Sequence, residues 1–174
     1  GRLFDAMAAL SGVLTVARFY TGACADATRG VFGAGDGANG NIIDYVTIQT
    51  LGNATDFGDL TVSRFHPAGC ADATRGVFGG GGWGNVMDYI TIQTTGNATD
   101  FGDLIGDKTG SGACADATRG VWAGGGGANR IDYVTIQTTG NSTDFGDLTS
   151  ARDTLAGCAD ATRGVFGGGT NAIE

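Results

Sequence analysis

One stretch, Gly69-Cys70-Ala71-Asp72-Ala73-Thr74-Arg75-Gly76-Val77-Phe78-Gly79-Gly80-Gly81, constrains this chain more than any other feature, because close copies surround Cys24, Cys114 and Cys158. A second block, Asn85 to Leu104, alternates with it and recurs as Asn41 to Leu60 and Asn129 to Leu148. The marker cysteines lie 46, 44 and 44 residues apart. That period is the length of one small supersecondary unit and points to propeller blades or solenoid repeats.

Four such units use all 174 residues, which leaves no room for a separate catalytic domain and makes residues 1–174 a single expected domain. The 34 glycines and single proline suit tight turns and close backbone approach, and they exclude collagen-like and polyproline readings. A net charge of -8 excludes a nucleic-acid phosphate surface, which needs a basic stripe. No apolar run reaches the roughly 18 to 20 residues of a membrane span, so no membrane insertion is expected. The mildly apolar Leu3 to Leu14 is interrupted by Asp5 and is not read as a signal peptide. Starting at Gly1, the chain reads as an excised or processed piece.

Val86 to Thr94 is rich in β-branched and aromatic residues and predicts a strand. Val86, Asp88, Ile90 and Ile92 form one face and Met87, Tyr89, Thr91 and Gln93 the other; apolar groups on both fit a sheet lying between sheets. Thr95 to Asp100 reads as a turn on Gly96-Asn97, and Phe101 to Leu104 begins the next strand. With short strands at Gly69 to Ala73 and Arg75 to Gly79, each unit has four antiparallel strands. The small residues of the first are expected at the axis, with bulk moving out to Phe78, Tyr89 and Phe101.

The chain stops at Asn171-Ala172-Ile173-Glu174, matching the start of Asn85-Val86-Met87-Asp88, and Val13 to Arg18 matches Asp59 to Arg64. The fold expected is therefore all-β, a four-bladed propeller whose last blade is closed by both termini. Its blades are residues 24–69, 70–113, 114–157, and 158–174 together with 1–23. Closure within one chain gives a monomer; closure between chains gives head-to-tail assembly.

The glycine pair Gly79-Gly80 ending a strand, Tyr89 on the next, the aromatic Phe101 after it and the following Arg64 or Arg152 resemble a kelch-like propeller unit. Lys108 at the Arg position and Phe where kelch units usually carry Trp depart from that pattern, and kelch rings usually have more blades. The wording GNATDFGDL with TRGVFGGG is similar to tandem repeats in tail-fibre-like proteins of marine bacteriophages and related bacterial surface proteins. That resemblance implies a virion or an extracellular surface.

Chemistry is sparse. His66 is the only histidine and reads as a loop residue, so neither an acyl-transfer triad nor a histidine metal site has a basis. The pairs Asp56/Asp59, Asp100/Asp103 and Asp144/Asp147 invite a glycosidase reading, but a threefold copy reads better as a strand-end device. The four cysteines are expected as small buried thiols rather than disulfides or a metal site. Asp26, Asp72, Asp116 and Asp160 each precede an arginine by three residues, Arg29, Arg75, Arg119 and Arg163, and salt bridges between the two sets are expected. The alternative for these aspartates is Ca²⁺ held near the axis.

Between units, the Asp-Ala-Thr-Arg and Gly-Asn turns scarcely vary, whereas the second-to-third-strand loops and the loops joining units vary and carry aromatics. Tyr20, Asp36, Phe65, His66 and Trp83 mark the expected binding face, since varied loops on a rigid scaffold recognise sugars or proteins. The function expected is a non-enzymatic glycan- or receptor-binding module. The alternative is a purely structural repeat that spaces or assembles a fibre.

Overall fold

A computed structural model describes residues 17–36 and 40–171, and no helix occurs among them. The elements are β1 (Gly22–Ala25), β2 (Arg29–Gly33), β3 (Ile42–Thr47), β4 (Thr55–Asp59), β5 (Ala68–Ala71), β6 (Arg75–Gly81) and β7 (Gly84–Thr91). They continue with β8 (Thr99–Asp103), β9 (Gly112–Ala115), β10 (Arg119–Ala123), β11 (Arg130–Thr135), β12 (Thr143–Asp147), β13 (Arg152–Ala159) and β14 (Gly164–Asn171). The first twelve form three four-stranded antiparallel sheets in chain order, and β13 pairs with β14 alone. Four strands per unit therefore hold for three units; the fourth shows two among the described residues. The closing segment Val13 to Val16 and the chain after Asn171 lie outside the described residues.

Each unit folds this way because its turns are chemically fixed. In the first turn the Asp26 side chain accepts the backbone N–H groups of Thr28 and Arg29, both at 2.7 Å, and closes β1 onto β2. Asp72, Asp116 and Asp160 repeat the device. The third and fourth strands slip register between Ile43 and Asp44, and again between Met87 and Asp88 and between Ile131 and Asp132. A bulge re-aims the side chain beside it, and here it accompanies an aspartate with no exposed surface.

The core lies between sheets. Cys24, Val31, Ile43, Phe57 and Leu60 of the first sheet meet Phe78, Ile90 and Ile92 of the second. Cys70, Val77, Met87, Phe101 and Leu104 of the second meet Trp122, Val134 and Ile136 of the third. The two faces read from the sequence are thus the two faces found. First strands come closest: a Cβ on Gly69 would sit 2.5 Å from the Ala23 carbonyl oxygen, and one on Gly157 the same distance from that of Ala113. Only glycine allows that approach.

Among the described residues the outer faces of the series are uncovered. Ile48 is 55% exposed, while its counterparts Ile92 and Ile136 are fully buried, and Val165 on β14 is 54% exposed where Val31 and Val77 are buried. The described residues therefore form an all-β series of packed sheets in which no sheet closes on itself.

Candidate functional site

The loops joining units and the loops between second and third strands lie together, as backbone hydrogen bonds show. Gly35 N–H donates to the Arg64 carbonyl at 3.1 Å, Asp36 N–H to Phe19 at 2.8 Å and Gly82 N–H to Phe65 at 2.8 Å. On this side the chain builds a continuous aromatic ridge. Phe19 meets Tyr20 edge-on with ring centroids 5.0 Å apart, Tyr20 meets His66, His66 lies 6.3 Å from Phe65, and Phe65 meets Trp83 edge-on at 6.1 Å. Four of the five residues singled out from loop variation, Tyr20, Phe65, His66 and Trp83, are brought together. Asp36 is tied to the ridge through its antiparallel bridge with Phe19. Phe19 was missed, although it precedes Tyr20 and the pair Phe19-Tyr20 was legible as an aromatic loop.

Three of the ridge residues have left-handed backbone, as Ala34 and Thr154 also do. Tyr20, His66 and Trp83 have φ of 62°, 57° and 61°, in the left-handed region that L-residues avoid. The third unit has Gly110 at the Tyr20 and His66 position and Gly127 at the Trp83 position, both at φ 74°. The first of these positions is left-handed in every unit, with Tyr20, His66, Gly110 and Thr154 in turn, so the repeat fixes the backbone there and the first two units place rings on it. Trp83 is 74% exposed, so burial does not repay the strain. Its backbone N–H is held by the Thr109 hydroxyl at 2.7 Å, which in turn donates to Asp107 at 2.7 Å.

Along the ridge runs a line of main-chain bonds from unit to unit. His66 N–H donates to the Tyr20 carbonyl at 2.9 Å, Gly110 N–H to His66 at 3.1 Å, and Thr154 N–H to Gly110 at 2.7 Å. Beside it opens a cleft of about 240 Å³ to which every unit gives two residues: Tyr20 and Thr21, His66 and Pro67, Gly110 and Ser111, Thr154 and Leu155. Ser111 is buried, and its hydroxyl has no hydrogen-bond partner. Aromatic rings, hydroxyls and a polar rim form a surface that can hold a polyhydroxylated or amphipathic ligand. His66 is half-buried against Tyr20 rather than an isolated surface loop residue.

The expected Asp–Arg salt bridges are not the ones found. Besides capping its own turn, Asp26 accepts Gln93 Nε2 of the next sheet at 2.5 Å, and Asp72 accepts Gln137 Nε2 at 2.6 Å. Burial alone would raise the Asp26 carboxyl, but hydrogen bonds from Arg29 N–H, Gln93 and Thr28 outweigh it and hold the group at about 2. The arginines turn away: Arg29, Arg75 and Arg119 lie 4.4, 4.2 and 5.3 Å over the rings of Tyr45, Tyr89 and Tyr133. Each bulge aspartate pairs with a cation entering from a loop joining units, Arg18 with Asp44, Arg64 with Asp88 at 2.6 Å and Lys108 with Asp132 at 3.6 Å, and Asp132 also pairs with Arg130 of its own strand at 2.9 Å. Burial pushes the Arg64 guanidinium and the Lys108 amine down, with Asp88 and Asp132 opposing it.

No group of three or more His, Cys, Asp or Glu side chains placed to hold a metal occurs among the described residues. The thiols are unpaired; Cys24, Cys70 and Cys114 are buried and Cys158 is exposed. Burial, with Asp26 adding to it, pushes the Cys24 thiol up to about 12. The carboxylates Asp56/Asp59, Asp100/Asp103 and Asp144/Asp147 sit on three separate strands, β4, β8 and β12. Asn97 and Asn141 fasten one sheet to the next, their side-chain oxygens accepting Asp59 N–H at 3.1 Å and Asp103 N–H at 3.0 Å. No protein-family model matches this sequence, and no curated protein matches it either.

Proposed function

We propose that the chain is a non-enzymatic binding module whose aromatic ridge takes a glycan or a cell-surface receptor. The observation that carries this reading is the exposed Trp83, on left-handed backbone at the end of a run of packed rings, where the third unit has Gly127. Strain of this kind, about 1–3 kcal/mol per residue, persists where a side chain has a use that stability does not supply. Exposed rings on a rigid scaffold stack against the apolar faces of sugars. Glycan-array screening and calorimetry with the whole chain test it. Binding that is lost in Trp83→Ala and Tyr20→Ala is expected, and absence of binding to any glycan or cell surface overturns it.

The uncovered faces at Ile48 and Val165 favour a second reading, a structural repeat that spaces or assembles a fibre or filament. Negative-stain images of the purified protein separate the two: discrete particles support the first, filaments the second. On architecture, we propose that the sheets are blades of a kelch-like propeller. The regular period and the close approach of glycine-bearing first strands support it. Four blades closed by both termini require Ile48 and Val165 to become covered, by the same chain or by another. The proposed setting, a virion or an extracellular surface, rests on the wording of the repeats.

A further inference from the structure

We propose, resting on the glycan reading above, that the cleft lined by all four units takes the uncharged terminal sugar of a glycan, whose next units run out along the ridge past Phe65 to Trp83. At about 240 Å³, and with roughly 30 Å³ to each water, the cleft has the space of about eight waters, the bulk of one pyranose ring with its hydroxyls. The first repeat position in its wall gives Tyr20, His66, Gly110 and Thr154, and the next gives Thr21, Pro67, Ser111 and Leu155. Rings therefore come from the first two units and hydroxyls from Thr21, Ser111 and Thr154. A pyranose offers both complements, a C–H face for a ring and hydroxyls around its edge. Ser111 is the hydroxyl without a use inside the fold. It is 7% exposed, and its Oγ has no hydrogen-bond partner among the described residues. An unpaired buried hydroxyl costs stability, and the repeat does not require one there, since Pro67 and Leu155 occupy the same position. A serine hydroxyl turns between three staggered positions, so a turn toward the cleft gives it a ligand hydroxyl as partner. Ser142 Oγ is also buried without a partner, but Ser142 lies outside the cleft, in a turn held to the Asp103 carbonyl of the preceding sheet.

The charges of this face select against an acidic sugar. Apart from His66, no lining residue can carry a side-chain charge near neutral pH. Arg18, Arg64 and Lys108 are buried and turned inward onto Asp44, Asp88 and Asp132, and Arg152 Nη1 donates to the Gly168 carbonyl at 3.4 Å. Carboxylates stand in the neighbouring loops instead. Asp153, next to Thr154, accepts Gly127 N–H at 3.0 Å; Asp107 accepts the Thr109 hydroxyl and N–H; Asp36 is bridged to Phe19. A ligand carboxylate seated here loses water, gains no cation and meets like charge nearby. Direction follows from the rings. They leave the cleft on the side of the first two units alone, from His66 by 6.3 Å to Phe65 and by a further 6.1 Å to Trp83, whereas the later units have Thr109 and Asp153 where the first two have Phe19 and Phe65. A sugar in the cleft continues on that one side and is the end of its chain.

The test titrates the whole chain, by calorimetry, with oligosaccharides ending in galactose, glucose, mannose or N-acetylglucosamine, each beside the same oligosaccharide capped with sialic acid or with a uronic acid. At least one uncharged member is expected to bind, and its acidic counterparts to bind about tenfold more weakly or worse. Hydrogen exchange is expected to slow at residues 20–21, 66–67, 110–111 and 154–155. Ser111→Ala is expected to weaken binding about fivefold while raising the midpoint of thermal unfolding, which separates a lost ligand contact from a lost fold. Equal or tighter binding of the acidic series, or unchanged binding in Ser111→Ala, overturns the cleft assignment; the ridge reading then stands if Trp83→Ala still loses binding. Binding of a cell-surface polypeptide and of no glycan overturns the cleft assignment as well. Absence of binding to any glycan or cell surface overturns both.

Discussion

Arg64 and Asp88 are both almost fully buried, so each is safe only while the other is present. Asp88→Ala leaves a guanidinium without its counter-charge and is expected to lower stability by about 3–5 kcal/mol in urea denaturation. Replacing both at once, Arg64→Met with Asp88→Leu, recovers most of that loss. The ridge is expected to behave in the opposite sense: Trp83→Gly relieves a left-handed tryptophan and stabilises the protein by about 1 kcal/mol while abolishing binding. A third expectation concerns acid. Asp26 is held at about 2 against an ordinary 3.8, so its contribution is complete above about pH 4 and is lost as pH falls toward 2. Denaturation curves across that range should show the loss, and Asp26→Asn should flatten it. At this scale the sequence was a partial guide. It showed the aspartates and arginines as neighbours in the repeat, but the ionic partner of Arg64 lies 24 residues away and becomes its neighbour only when the sheet forms. The ring positions were legible because copies of the loops differ; their backbone strain was not, since nothing in a tyrosine or a tryptophan announces a positive φ.

At the level of strands and turns, sequence and structure agree more closely. Alternating apolar positions in Val86 to Thr94 marked the two buried faces of β7 and its continuation, but the turn lies earlier than expected: Thr94 N–H closes it onto the Thr91 carbonyl at 3.0 Å, Gly96 and Asn97 bond to the neighbouring sheet instead, and β8 begins at Thr99. The strand itself runs Gly84–Thr91, because the Gly-rich loop before it continues the pairing to Gly81 and Gly84. Sheets fit against one another through a small-to-large match that repeats at each junction. A Cβ on Gly76 would stand 2.6 Å from Cys24 Sγ, one on Gly120 2.7 Å from Cys70 Sγ, and one on Gly164 2.9 Å from Cys114 Sγ. Gly76→Ala is therefore expected to destabilise by about 1–3 kcal/mol, and Cys24→Ala in the same chain to restore much of it, as a double-mutant cycle would measure. Matched cysteines and glycines were visible from the start as repeated letters. That they touch across a junction was hidden, since each pair is formed by residues of different units.

For the molecule as a whole, stability should be graded along the series. The second sheet is covered on both faces, and the fourth has two strands among the described residues with Val165 and Phe145 beside it exposed, so hydrogen exchange should be slowest in β6 and β7 and fastest in β14. Uniform protection across all four sheets would contradict that gradient. The all-β series was legible because a repeat of this length allows few alternatives. Whether its outer faces meet was not, because identical units pack alike in a ring and in an open row. The sameness of the junctions has a genetic consequence. Any two units can be neighbours, so an in-frame recombination that removes residues 70–113 joins Gly69 to Cys114 and sets Cys24 on Gly120, with Arg64 facing Asp132. Such a chain is expected to fold cooperatively with one sheet fewer. Copy number is then free to drift by unequal crossing-over without any intermediate that fails to fold.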